Sequence, residues 1–259
     1  MKERWIEYLT TKFRPKFDGK KLPRIAIDCA YGSGAEVAKA VLEGLGFDFV
    51  LFNTEYDGKN INKGDAQKDS EKFDLVFEFD GDADRCLLDE IPGDILIAQL
   101  AAWLGVEVVV STVLFNSGTE KWLKDNGVQL ARTPVGDRFI SAELDKLKRM
   151  DRSCIGGEPS GHIIFPDVFH SGDGLITVLM VCAMFCDVGL QGNVTLWPTA
   201  NLNIKTSAKH NYEEYRAIIR PSGTEDVVRI IAEGPDRVVC NDIVSSLYVR
   251  RVKVVRAFD

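Results

Sequence analysis

Three aspartates at alternate positions, Asp80, Asp82 and Asp84, followed at once by Arg85, form the densest group of chemistry-bearing side chains in the sequence. Carboxylates held this close repel one another, so the loop that carries them needs a cation or basic groups to be stable. A hard divalent cation is the simplest partner for such oxygen ligands. An EF-hand beginning at Asp80 would place glycine sixth and glutamate twelfth, but those positions hold Arg85 and Ile91. That reading fails. Two others stay open: a phosphatase that uses Asp80 and Asp82 as strand-end nucleophile and acid, and a solvated acidic turn. The third aspartate and the arginine favour a metal site.

Two further stretches offer polar groups in useful combinations. In RPSGTED, Arg220, Ser222, Gly223 and Thr224 bring together a guanidinium, two hydroxyls and the amides of a glycine turn, the set a phosphate monoester needs. An ordinary connecting turn explains the same residues equally well. In GGEPSGH, Glu158, Ser160 and His162 alternate and so can point to one side of an extended loop. A carboxylate and a hydroxyl suit the vicinal hydroxyls of a sugar, and imidazole suits proton transfer near neutrality. In TPVGDRF, Asp137 and Arg138 form either a local ion pair or, through Arg138, a contact to a second anionic end of a substrate. His170 and His210 lack such a context.

The elements that must hold these loops follow from hydrophobic periodicity. Trp5, Ile6, Leu9 and Phe13 predict a helix that stops before Pro15. Ile25–Ala30 reads as a strand, 35–45 as a helix, and 47–52 as a second strand. The run Leu75, Val76, Phe77, Phe79 is a buried strand, which puts the aspartates on a loop at its carboxyl end. An apolar helix over 95–104 follows. Strand 106–115, helix 119–126, a helix around 142–150, strand 153–155 and a buried helix over 172–188 continue the alternation. Beyond residue 192, short extended runs at 194–197 and 201–204, strands at 215–219 and 227–233 and a helix over 241–249 make a smaller α+β unit. Alternation of this kind predicts an α/β protein with mixed or parallel sheets covered by helices. Its boundaries fall at 1–105 for the metal-loop unit, 106–191 for a second α/β unit and 192–259 for the last. Gly32 and Gly34 after a strand do not make a dinucleotide fingerprint, because the third glycine and the closing acidic residue are missing.

With 259 residues and 45% apolar composition the chain can bury a substantial core. A net charge of −7 argues against a nucleic-acid surface, which needs a basic face. The six cysteines lie mostly in apolar runs without paired metal spacing and read as reduced, buried thiols. The charged N-terminus has no signal-peptide core and no apolar run spans a membrane, so a cytoplasmic protein without membrane partners is expected.

FDGDADR, GGEPSGH and RPSGTE, in that order, resemble the metal loop, sugar-specificity loop and phosphate loop of the α-D-phosphohexomutases. IDCAYGSG, DGKNIN, TPVGDRF and GGEPSGHIIF followed by SGDGL look most like the phosphoglucosamine mutase branch. The resemblance implies that Asp80, Asp82 and Asp84 hold Mg²⁺ and that Arg85 sits beside the transferring phosphoryl group. It also implies that Glu158 and Ser160 bind sugar hydroxyls and that His162 lies nearby as a proton carrier. Arg220, Ser222, Gly223 and Thr224 would clamp the phosphate that does not react.

The implied reaction interconverts glucosamine 6-phosphate and glucosamine 1-phosphate through a phosphoserine and a bisphosphorylated sugar. The serine belongs to a first domain of the family, whereas this sequence begins where the second would begin, so the chain alone is expected to be inactive. A phosphoglucomutase or phosphomannomutase, a hexose-phosphate-binding module and a metal-dependent sugar phosphatase remain as alternatives.

Overall fold

In the computed structural model, which describes residues 2–62, 70–89, 91–190, 194–205, 212–214, 217–221, 227–233 and the single positions 237, 241, 244 and 245, the first helix runs on where the sequence predicts a stop. Helix α1 spans Lys2–Phe17, with Pro15 inside its last turn. Proline removes a backbone donor and crowds the carbonyl four residues back. Phe13 and Phe17 are four apart, share one face and are both buried, and Phe17 meets Phe47 edge-on with ring centroids 5.0 Å apart. Burial of that stripe holds the turn that proline weakens.

Strand β1 (Ile25–Asp28), helix α2 (Ala35–Leu45), strands β2 (Phe49–Phe52) and β3 (Leu75–Phe79) and the short β4 (Cys86–Leu88) build the first sheet, in the order β2-β1-β3-β4. β2 and β3 both run parallel to β1, and β4 returns antiparallel beside β3. Helix α3 (Gly93–Leu104) leads to a second sheet of β5 (Val108–Thr112), β6 (Gln129–Thr133), β7 (Cys154–Gly157) and β8 (Ile163–Ile164), with α4 (Ser117–Asp125) and α5 (Asp137–Arg149) between its strands. Its order is β6-β5-β7-β8, again with three parallel strands and an antiparallel fourth. Helix α5 starts five residues earlier than the periodicity predicts, directly after Gly136, whose φ of 131° suits glycine alone. Helix α6 (Gly174–Val188) closes this part of the chain.

The alternating valines of β5 explain why both faces of the second sheet are covered. Val108 and Val110 join Ile140, Leu144 and Leu147 of α5, whereas Val109 joins the main core with α3 and α6. That main core also takes in Ile25, Ile27, Leu75 and Phe77 of the first sheet. Both sheets therefore share one apolar interior. Helix α6, apolar all round, is buried from Gly174 to Met184. No helix among the described residues is long and apolar enough to cross a membrane.

The chain divides into two compact units, Met1–Phe115 with Trp122–Val194, and Asn116–Lys121 with Thr195–Asp259. In the second, strands β9 (Thr199–Lys205), β10 (Tyr212–Glu214), β11 (Ala217–Pro221) and β12 (Val227–Glu233) form an antiparallel sheet in the order β10-β11-β12-β9. The extended run expected at 194–197 is not a strand. Its backbone is tied locally instead: buried Asn116 accepts from the N–H groups of Gly118 and Trp197, each at 2.9 Å, and donates to the Trp197 carbonyl at 2.8 Å. Most of the helix expected over 241–249 lies outside the described residues.

Candidate active site

Because β1, β2 and β3 are parallel, their carboxyl ends open on one edge of the first sheet. β1 lies between the other two, so the connections after β1 and after β2 run in opposite directions along the sheet, which makes the β1/β3 boundary the topological switch point where open α/β sheets bind ligands. The loop 80–85 sits there, joining β3 to β4. Asp80, Asp82 and Asp84 each present a carboxylate oxygen within 4.8 Å of the others. Asp82 is exposed, and its two companions are half-buried.

The loop is shaped largely by its own first aspartate. Asp80 accepts from the Arg85 N–H at 3.2 Å through its side chain and from the Ala83 N–H at 3.1 Å through its carbonyl. Burial, with added repulsion from Asp84 and Asp82, pushes the Asp80 carboxyl above the usual carboxylate range, against the pull of the Arg85 amide. The Arg85 Nε lies 3.5 Å from Asp80 and 3.6 Å from Asp84, and its side chain is half exposed. It acts as a partial counter-charge at more than hydrogen-bond length. Asp84 Oδ1 is consequently buried without a hydrogen-bond partner, and an orphaned carboxylate oxygen beside two others fits a hard cation.

Backbone strain gathers at the same edge. Of the six non-glycine positions with positive φ among the described residues, five lie in loops around it: Ala30, Tyr31, Asn53, Asn62 and Ala83. Such a conformation costs about 1–2 kcal/mol at Ala30, Tyr31 and Ala83 and less at the two asparagines, which adopt it more readily, and strain concentrated in one place is a mark of function. The buried Asp28 supports it by accepting from the Ala30 N–H at 2.8 Å and from the Asn53 amide at 3.0 Å. The Gly32 and Gly34 pair finds its use here too. Ser33 N donates to the Gly81 carbonyl at 3.0 Å, and a Cβ at Gly32 would overlap that carbonyl. These glycines leave room for the acidic loop.

Across from it stands the turn 158–162. The expectation of an extended loop with Glu158, Ser160 and His162 on one side is corrected: Gly157 pairs with Ile163, so the segment is a tight hairpin between β7 and β8. Its side chains diverge. Ser160 is exposed, Glu158 accepts from the Gly136 N–H at 3.3 Å, and His162, only 4% exposed, turns inward with Nδ1 3.1 Å from Asp84 Oδ2. The Cys86 N–H also donates to the Gly161 carbonyl at 3.0 Å. Two bonds thus join the hairpin to the acidic loop.

Asp137 and Arg138 open α5. The Asp137 carboxylate accepts from the Arg138 backbone N–H at 2.8 Å, while the exposed guanidinium stacks over Phe139 at 4.6 Å from the ring centroid. Of the expected ion pair, only this backbone contact forms. Arg220 lies on β11, opposite Arg229 of β12; Ser222, Gly223 and Thr224 lie outside the described residues. The inward turn of His162 and the service of Gly32 and Gly34 went unread in the sequence. The signal for the latter was the strand-then-glycine pattern, whose meaning depends on which loop lies opposite.

An acidic trio at a switch point, an adjacent guanidinium and a polar hairpin can hold a cation and orient a small anionic, hydroxyl-bearing ligand beside it. Family models agree in succession along the chain. Phosphoglucomutase/phosphomannomutase alpha/beta/alpha domain II matches residues 3–90, alpha/beta/alpha domain III matches 92–197, and the C-terminal domain matches 190–248. The phosphoglucosamine mutase of Thermosipho africanus is 36% identical over 259 aligned residues, 85% of this chain and 59% of its own length. That of Dictyoglomus turgidum is 32% identical over 100% of this chain and 66% of its own length. The N-acetylphosphoglucosamine mutase of Aspergillus fumigatus, solved in complex with GlcNAc-6P and magnesium, shares the fold with a TM-score of 0.78 over 95% of this chain and 64% of that one, at 19% identity. The chain spans about three fifths of the length of the first of these curated relatives.

Proposed function

The chain belongs to the phosphoglucomutase/phosphomannomutase family, and from that premise we propose that it forms the metal-, sugar- and phosphate-binding part of a phosphohexomutase. Its substrate is glucosamine 6-phosphate, converted to glucosamine 1-phosphate. The observation that carries this reading is the switch-point trio Asp80, Asp82 and Asp84, with a buried Asp84 oxygen that lacks a hydrogen bond. Those carboxylates would hold Mg²⁺, which when bound supplies Lewis-acid stabilisation to the transferring phosphoryl group. Arg85 adds its guanidinium beside that group, once its weak contacts to Asp80 and Asp84 are exchanged for a phosphate.

Glu158 and Ser160 read the sugar, and a carboxylate at this place rewards an ammonium, which supports the amino sugar over glucose or mannose. Arg138 faces the second anionic end. Arg220, Ser222, Gly223 and Thr224 clamp the phosphate that stays bound. The donor is a phosphoserine on a domain outside these 259 residues: it phosphorylates O1, the bisphosphate turns over, and the phosphate on O6 returns to the serine.

Calorimetry with Mg²⁺ and with the glucosamine, glucose and mannose 6-phosphates tests the assignment. The chain should bind Mg²⁺ and the sugar phosphates, and Arg220→Ala should weaken all three sugars alike by roughly 1.5–3 kcal/mol. The purified chain should not interconvert 1- and 6-phosphates; turnover by it alone would sink the assignment of the donor. Hydrolysis of a sugar phosphate would identify a phosphatase instead.

A further inference from the structure

His162 sits in a closed slot with a single polar contact. Its imidazole is walled in: the residue is 4% exposed, Nε2 is buried without a hydrogen-bond partner, and a Cβ at Gly172 would overlap the ring. The missing side chain at Gly172 is the slot that the ring fills. Only Nδ1 meets a polar group, Asp84 Oδ2 at 3.1 Å. A carboxylate accepts and cannot donate, so Nδ1 carries the proton of that bond. One oxygen of Asp84 is thereby engaged, and the other, Oδ1, is left buried without a hydrogen bond, 3.6 Å from the Arg85 Nε, on a carboxylate that groups with Asp80 and Asp82.

We infer that His162 is a positioning residue: it fixes the Asp84 carboxylate through Oδ2 so that Oδ1 is presented with Asp80 and Asp82 to a divalent cation. The inference rests on the metal reading above and deepens it. Hydrogen bonds from a second layer commonly set the orientation of a ligating group, and their loss costs 10- to 100-fold in metal affinity. The arrangement also makes metal affinity depend on a hairpin of the other sheet. The Cys86 N–H to Gly161 carbonyl bond holds that hairpin in place independently of the imidazole, so the side chain can be varied while the docking bond stays.

The probe is Mn²⁺, followed by electron paramagnetic resonance on the full chain, with Mg²⁺ calorimetry as a second measure. His162→Ala and Gly172→Ala should each weaken Mn²⁺ binding about tenfold or more. His162→Asn, whose amide nitrogen stands near the place of Nδ1, should stay within about threefold of the parent, whereas His162→Gln should fall with the alanine variant. A purely space-filling role would not separate asparagine from glutamine in this way. Should His162→Ala fail to fold, the asparagine and glutamine pair carries the test. Parent-like Mn²⁺ binding by His162→Gln, or equal weakening by asparagine and glutamine, would overturn the positioning role while leaving the metal site intact. A parent chain that binds Mn²⁺ no better than Asp82→Asn would overturn the metal reading itself.

Discussion

The turns 80–85 and 158–162 occupy the same place in two sheets of identical order, each linking the third strand to an antiparallel fourth. Each is roofed by a glycine at the start of an apolar helix, Gly174 of α6 over the first and Gly93 of α3 against Pro159 of the second. Yet one turn gathers three carboxylates and stores strain, while the other offers glycine, one carboxylate and one hydroxyl to the outside and an imidazole to the inside. The same topological position is thus specialised by residue type alone, and the two specialised turns bind one another. Position gives each turn access to a ligand; side chains decide which part of the ligand it meets.

The comparison breaks first at the two roofing glycines. Alanine at a helix start ordinarily stabilises, but a Cβ at Gly174 would lie 2.6 Å from the Arg85 carbonyl, and one at Gly93 would overlap the Pro159 carbonyl. Gly174→Ala and Gly93→Ala should each lower the free energy of unfolding in urea by about 1–3 kcal/mol. Gly174→Ala, which presses on the acidic loop itself, should weaken Mg²⁺ binding more than Gly93→Ala, which reaches the metal only through the hairpin that carries His162. Greater stability in either variant would mean that the roofing contact is not tight.

A second difference lies in the carboxylates. Asp82→Asn should reduce Mg²⁺ affinity about tenfold or more, some 1.4 kcal/mol, whereas Glu158→Gln should leave it unchanged and alter the ranking of sugar phosphates instead. Equal effects of the two substitutions on the metal would erase the division of labour.

The smallest effect concerns pH. The folded chain holds a proton on Asp80 more tightly than the unfolded chain, so with a chelator present its contribution makes stability fall as pH rises from the ordinary aspartate value of 3.8 through the raised folded one. Asp80→Asn should remove that fall and give a flatter profile of Tm against pH in EDTA. Profiles that superimpose would show that burial of this carboxylate carries no linkage.

Long periodic segments were legible before the structure: α2 and β12 have the bounds their patterns predict. The antiparallel fourth strands were not, because β4 and β8 contain three and two residues and show no period. Strand β6 hid for another reason, since its polar, largely uncovered residues lack an apolar face. The duplicated strand order leaves no trace as a repeat, since pairing fixes it and residue identity does not. In the candidate site the aspartates could be read from type and spacing. The inward turn of His162 could not, because it depends on the Gly157 to Ile163 pairing that converts an extended loop into a hairpin.

Helix α6 packs its buried face against α1, α3 and β4 and is the last element of the shared core to be made. A ribosome that has released the whole first sheet has therefore not yet released the helix that covers it. Until residues 174–188 emerge, Phe79 and strand β4 lack part of their covering, and the acidic loop lacks the Gly174 N–H that holds the Ala83 carbonyl at 2.8 Å. Nascent chains stalled before this helix should be cleaved readily by protease and those stalled well beyond it should resist, so the first sheet, though synthesised early, matures late.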